Sequence, residues 1–285
     1  MKYRILALDV DGTLLDSTGR LRPTTADAVA RADRAGVRPV LCTGRRYRRA
    51  LPIAFKLGLE APIVCNSGAL VKNPFNHRTL WRADIDAPLV RMVVELCRRR
   101  DHSVISFTDI DPSRPDFLVS QYPTGREFFD EYVTLNRSHA AIEPRWVDHI
   151  EDVLDRARFH LCAVGSREEM WALQAELREE LGDRIRVIVQ RSPRYSGTMC
   201  EVIEGSASKW TAVLHLAEQW GVAPSEICAV GDDFNDLQMI KEAGLGVAMG
   251  HAPAEVRAVA DFVTGDHNED GVTQFVENVL LARGA

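Results

Sequence analysis

Two clusters of carboxylates lie far apart in the chain, each directly behind a short apolar run. Asp9 and Asp11 stand in Asp9-Val10-Asp11-Gly12-Thr13, after Ile5-Leu6-Ala7-Leu8. Asp232, Asp233 and Asp236 stand with Asn235 in Gly231-Asp232-Asp233-Phe234-Asn235-Asp236, after Ile227-Cys228-Ala229-Val230. Acids this close need a shared proton or a cation. An Asp-Gly pair alone also marks an ordinary turn, and helix capping accounts for one or two acids at a helix start. Capping does not account for three Asp and one Asn within five positions beside a second strand-end pair. Hard oxygen donors gathered from two strand ends are what Mg²⁺ takes as ligands.

Two further positions suit phosphate. Thr43-Gly44-Arg45 offers a hydroxyl, an unhindered backbone N–H and a guanidinium after Leu41-Cys42; alone, Thr43 reads as a helix cap. Lys209 begins a helix in a chain with five Lys among 35 basic residues. A cation is disfavoured at the positive end of a helix dipole, so its place there calls for a negative partner, although a solvated surface lysine is the alternative.

These residues need a scaffold that brings strand ends together. Ile5-Leu6-Ala7-Leu8 is apolar at both parities, the pattern of a strand covered on both faces. A helix over 25–35 with Thr24 as its N-cap, a strand over 37–42, a helix over 46–57 and a strand over 62–65 follow with short links. That order predicts a parallel, doubly wound α/β sheet, whose ligands sit beyond the carboxyl ends of its strands. From about residue 84 the pattern becomes a helix (88–100), short β pieces near 103–108 and 116–121, a strand over 158–164, a helix over 168–181 and a strand over 185–190. The alternation returns from Met199 with helices over 209–220 and 235–243 and strands over 227–230 and 246–249. The expected organisation is a discontinuous core of 1–83 and 193–285 with an inserted α+β cap of 84–192.

Composition narrows the class. The chain has 285 residues, 46% hydrophobic and 27% charged, enough for a sizeable core. A formal charge of −6 argues against a general nucleic-acid binder. No apolar stretch reaches the roughly 18–20 residues that span a bilayer, and the start of the chain lacks a signal-peptide pattern. The expectation is a cytoplasmic protein with no nucleic-acid or membrane partner. Cysteines at 42, 65, 97, 162, 200 and 228 form no CxxC pair and read as buried thiols. Histidines at 77, 102, 139, 149, 160, 215, 251 and 267 show no metal-ligand spacing, so no histidine site is expected, and His267 is placed on the surface.

Asp9-Val10-Asp11-Gly12-Thr13, Thr43-Gly44-Arg45, Lys209 and Gly231-Asp232-x-x-Asn235-Asp236 occur in the order and spacing of the haloacid dehalogenase superfamily. The chain resembles its Cof-like, cap-bearing phosphatase branch, also at Gly246-Val247-Ala248-Met249-Gly250-His251-Ala252 and Asn268-Glu269-Asp270-Gly271-Val272. The resemblance implies a Rossmann-like core and hydrolysis of a small phosphorylated metabolite (a sugar phosphate, nucleotide or phosphorylated cofactor) through an aspartyl-phosphate. It implies Asp9 as nucleophile, Asp11 as general acid and base, and Thr43, Gly44, Lys209 and Asn235 around the phosphate. Mg²⁺ would be held by Asp9, the Asp11 carbonyl and Asp232, with Asp236 and Asn235 supporting. A phosphomutase using the same intermediate, or a non-catalytic regulatory protein, is the alternative. Trp210, where the branch often has glycine, is expected in the core. Asn66-Ser67-Gly68-Ala69 departs from the more frequent Asn-Gly-Ala. The sequence sets neither substrate nor oligomeric state.

Overall fold

A computed structural model describes residues 2–109, 113–142, 158–191 and 195–282. The first half of the core runs β1 (Ile5–Leu8), α1 (Pro23–Arg34), β2 (Arg38–Leu41), α2 (Tyr47–Lys56) and a small antiparallel set, β3 (Ile63–Cys65), β4 (Leu70–Lys72) and β5 (Thr79–Arg82). The insert contributes α3 (Ala87–Arg99), β6 (Val104–Phe107), β7 (Phe117–Val119), α4 (Glu127–Leu135), β8 (Ala140–Ile142), β9 (His160–Gly165), α5 (Arg167–Leu181), β10 (Ile185–Arg191) and β11 (Thr198–Glu204). The chain closes with α6 (Lys209–Gln219), β12 (Ile227–Gly231), α7 (Leu237–Glu242), β13 (Leu245–Ala248), α8 (Ala254–Ala258), β14 (Phe262–Val263) and α9 (Gly271–Phe275), which continues as a π-helix over Val276–Leu281.

The core sheet is parallel throughout, in the order β14-β13-β12-β1-β2. Every residue of β1 is buried, as a strand covered on both faces requires. Ile5 and Ala7 pack with Val40, Ile227 and Ala229 against Trp210, Val213, Leu216 and Ala217 of α6. Full burial of each of the larger apolar side chains stabilises the fold by about 1.5–3 kcal/mol. Trp210 lies in this core, as expected, 2% exposed. β3 meets the parallel order through the Cys42–Val64 bridge and the Thr43 N–H bond to Val64 O, and β4 turns back on it antiparallel. The Thr24 cap is not observed: Arg22 is the N-cap, Pro23 supplies the pre-set first turn, and the Thr24 hydroxyl donates instead to Asp270.

The chain divides into two compact units, Met1–Trp81 with Ser208–Ala285, and Arg82–Ala207. The second therefore ends later than the expected 192. The reason is β11, which pairs antiparallel with both β10 and β9 and so belongs to the six-stranded sheet β10-β11-β9-β6-β7-β8. One face of that sheet, through Leu161, Ala163, Cys200 and Val202, packs on Val90 and Val94 of α3 and on Met170, Leu173 and Leu177 of α5. The six cysteines are buried thiols, as expected. Among the described residues no helix is long and apolar enough to cross a membrane.

Candidate active site

The order of the core sheet creates the site. From β1 the chain steps outward to β2, and on returning it steps outward the other way through β12, β13 and β14, so the direction reverses between β1 and β12. Such a switch point opens a crevice at the strands' carboxyl ends. Register pairs Leu8 with Val230, and the Asp9 N–H donates to Val230 O at 3.0 Å. Asp9 and Asp232 are thus delivered to the same end of the sheet by neighbouring strands.

Close approach at this end depends on missing side chains. Gly12 has φ +82°, and a Cβ there would lie 2.3 Å from Asp232 Oδ2. A Cβ on Gly231 would lie 2.5 Å from Asp236 Cβ. Thr13 Oγ1 donates to Asp232 Oδ1 at 3.1 Å, tying the two acid loops together.

Lys209 is the hub. Its ammonium, 1% exposed, donates to Asp9 Oδ1 at 2.5 Å, Asp236 Oδ1 at 2.6 Å and Asn235 Oδ1 at 3.1 Å. The loop behind it fixes this placement. Ser208 caps α6, accepting from Thr211 N–H at 3.1 Å, while the Thr211 hydroxyl accepts from Ser208 N–H at 2.9 Å. Gly68, at φ +95°, packs directly on this cap. The negative partner that the helix-dipole argument required is the Asp9–Asp236 pair.

Asp236 is fully enclosed, and its other oxygen, Oδ2, accepts from the Asp232 and Asp233 N–H groups, each at 3.2 Å. It acts as the brace of its own loop. Asp9, Asp232 and Asp236 each bring a carboxylate oxygen within 4.8 Å of the others. Burial, then the neighbouring Asp236 charge, pushes Asp9 well above the usual carboxylate range, against the pull of Lys209. Burial likewise raises Asp236. Burial alone would neutralise Lys209, yet Asp236 and Asp9 more than offset it and hold it charged. Three carboxylates around one ammonium leave a deficit of positive charge, and an all-oxygen donor set of this kind fits Mg²⁺.

The remaining expected residues lie around this centre. Asp11 is exposed and held by a bidentate Arg45, Nε to Oδ2 at 2.6 Å and Nη2 to Oδ1 at 2.5 Å. Thr43 is buried at the end of β2; its N–H donates to Val64 O, and its hydroxyl oxygen accepts from Arg45 N–H at 3.1 Å, which leaves the hydroxyl proton to donate. Gly44 follows it, partly exposed. Asn235 braces Lys209 through its carbonyl oxygen, leaving its amide N–H groups as donors.

The histidine reading is corrected here. His251 and His267 are 16 positions apart, yet their ring centroids lie 4.2 Å apart, with Asp266 beside both. His267 is partly buried, its side chain being 14% exposed. His251 Nε2 stands 3.6 Å from Asp232 Oδ2. That contact, then partial burial opposing it, leaves the His251 pKa raised. The loops after adjacent strands β13 and β14 make this meeting, which sequence spacing does not reveal. His149 lies outside the described residues.

The sequence pattern of the haloacid dehalogenase-like hydrolases matches residues 6–276. A pyridoxal phosphate phosphatase of Escherichia coli, YbhA, is 26% identical over 99% of this chain and 100% of its own. A 5-amino-6-(5-phospho-D-ribitylamino)uracil phosphatase of Bacillus subtilis, YwtE, is also 26% identical, over 99% and 100%. A haloacid dehalogenase-like hydrolase from Bacteroides thetaiotaomicron has a crystal structure that superposes with a TM-score of 0.77 at 25% identity, covering 97% of this chain and 99% of that one. The chain belongs to the haloacid dehalogenase-like hydrolases and is a phosphatase of their branch with an inserted cap sheet.

Proposed function

We propose that the protein is a Mg²⁺-dependent phosphatase of a small phosphorylated metabolite, working through an aspartyl-phosphate on Asp9. The observation that carries this reading is the buried contact of Asp9 with Lys209 beside a second acid loop at the switch point. Asp9 attacks phosphorus and the P–O bond to the leaving group breaks, while Asp11 gives that oxygen its proton. Asp11 then takes a proton from water, which attacks the phosphorus of the aspartyl-phosphate and frees inorganic phosphate and Asp9. Thr43, the Gly44 N–H and Asn235 donate to phosphoryl oxygens, and Lys209 offsets their charge. Asp9, the Asp11 carbonyl and Asp232 would hold Mg²⁺, with Asp236 bracing. Bound Mg²⁺ would supply the positive charge that keeps Asp9 ionised and neutralises charge on the transferring group.

The second unit, Arg82–Ala207, would select the leaving group as a cap. The names of the two curated relatives favour phosphorylated cofactors and their precursors. The test is phosphate release from pyridoxal phosphate, a phosphoribitylaminopyrimidine, sugar phosphates and nucleotides, with Mg²⁺, with EDTA and with Asp9→Asn. Release that needs Mg²⁺ and is abolished by the substitution supports the reading. Release that survives Asp9→Asn overturns the nucleophile, and an isomerised phosphate ester without net release points to a mutase.

A further inference from the structure

We propose that His251 is a positioning residue that sets the Asp232 carboxylate for the divalent ion, as the middle member of an Asp232–His251–Asp266 line. The inference rests on the metal-site reading above and extends it to residues beyond the acid loops. Asp232 is confined on three sides. Thr13 Oγ1 donates to Oδ1 at 3.1 Å, the Gly12 backbone packs against Oδ2, and His251 Nε2 stands 3.6 Å from Oδ2. The first two fix where the carboxylate sits, and the imidazole closes the side on which it would otherwise rotate.

His251 can do this because its ring is itself held. Nδ1 lies 3.2 Å from Asp266 Oδ2, and the His267 ring stands edge-on to it at 71°. Asp266 is anchored in turn: its Oδ1 accepts from Asn268 N–H at 2.7 Å, and its carbonyl accepts from Gly271 N–H at 3.1 Å. Gly250 N–H donates to Gly265 O at 3.1 Å, stitching the two loops one residue before each of His251 and Asp266. A ring with one carboxylate on each nitrogen, backed by a second ring, is the outer support that orients a metal-ligating side chain. The supporting residues come from the loops after β13 and β14, outside the two acid loops.

The test is Mg²⁺ binding by calorimetry on the full-length protein without substrate. His251→Ala should raise the Mg²⁺ dissociation constant about 10- to 100-fold, the usual effect of losing an outer-shell partner. His251→Asn, which restores an N–H donor, should recover part of that loss. Asp266→Asn should weaken binding in the wild-type background and have no effect once His251 is Ala, because it acts only through the ring. Circular dichroism melting checks that each variant is folded. Unchanged or tighter binding by folded His251→Ala overturns the inference, as does an Asp266→Asn effect that persists without the ring. Absence of any Mg²⁺ binding by the wild-type protein would instead overturn the metal-site reading beneath it.

Discussion

The Lys209 ammonium lies 2.5 Å from Asp9 Oδ1, joining residues 200 positions apart in a pair that is almost wholly enclosed. Removing one partner of a buried pair costs about 3–5 kcal/mol, because the other charge stays buried and unpaired. Lys209→Met should therefore lower the melting temperature by on the order of 10 °C without Mg²⁺. It also leaves Asp9, Asp232 and Asp236 with no ammonium among them. Added Mg²⁺ should then raise the melting temperature of the variant more than that of the wild type, by mass action on the folded state. Scanning calorimetry with EDTA and with Mg²⁺ decides this. An equal Mg²⁺ shift in both proteins would show that Lys209 and the ion do not share the cluster's charge.

The roles of Asp9 and Asp11 separate in time. With an aryl phosphate, whose leaving group needs little protonation, Asp11→Asn should still form the aspartyl-phosphate and then fail to hydrolyse it. Rapid-quench measurement should show a burst of phenol near one equivalent followed by a stall. The isolated protein should carry acid-stable phosphate, and Asp9→Asn should carry none. A steady rate without burst in Asp11→Asn would remove that residue from the second step. Arg45, bidentate on Asp11 in the free protein, must give way as the leaving group arrives.

Much of this site was legible because strand ends announce themselves. An apolar run followed by acids and glycine fixes both the element and the point where its side chains reach solvent, which is how Asp9, Thr43 and Asp232 were found. The residues that went unread owe their roles to pairing between distant segments. β11 falls in the stretch from Met199 where the sequence reads as a return to the core, and only its pairing with β9 and β10 shows that it joins the other sheet. α4, Glu127–Leu135, follows a proline-rich stretch whose turn signals mask its start. His251 and His267 carry no spacing signal, since their meeting depends on β13 and β14 being neighbours.

Gly68 tests how much the lysine depends on the loop behind it. The residues Asn66, Ser67 and Gly68 all have positive φ, at 51°, 57° and 95°. Ser67 N–H donates to Thr43 O and Asn66 N–H to Arg45 O, so this turn also holds the phosphate-side loop. A Cβ at position 68 would sit 2.1 Å from Ser208 C and 2.4 Å from Lys209 N, both backbone atoms. Gly68→Ala must push the start of α6 away, on top of about 1–3 kcal/mol of backbone strain. The expected outcome is a loss of turnover larger than the loss of stability explains, with substrate KM and Mg²⁺ affinity both worsened. Steady-state kinetics well below the melting transition checks it, and wild-type turnover would show that the Ser208 cap has room to move.

The longest helix among the described residues of the second unit offers a prediction whose sign with pH can be worked out. α5 opens on a reciprocal cap: Ser166 Oγ accepts from Glu169 N–H at 3.2 Å, and Glu169 Oε2 accepts from Ser166 N–H at 2.7 Å. Arg126 Nη2 adds a bond to Glu169 Oε1 at 2.9 Å. Ser166→Ala should cost about 1 kcal/mol, the usual loss for such a cap. Glu169 is held below the ordinary carboxylate range, first by the Ser166 N–H. A depressed folded-state pKa gives stability that is present above the unfolded value of about 4.3 and lost as pH falls through the folded one. The group is partly exposed, so solvent screening keeps its contribution to at most about 1 kcal/mol. Denaturant unfolding of wild type and Glu169→Gln should therefore differ at pH 7 and converge as the pH drops below about 4. A difference that stays constant down to that pH would mean that the carboxylate's charge contributes nothing and that the cap works through shape and neutral hydrogen bonding alone.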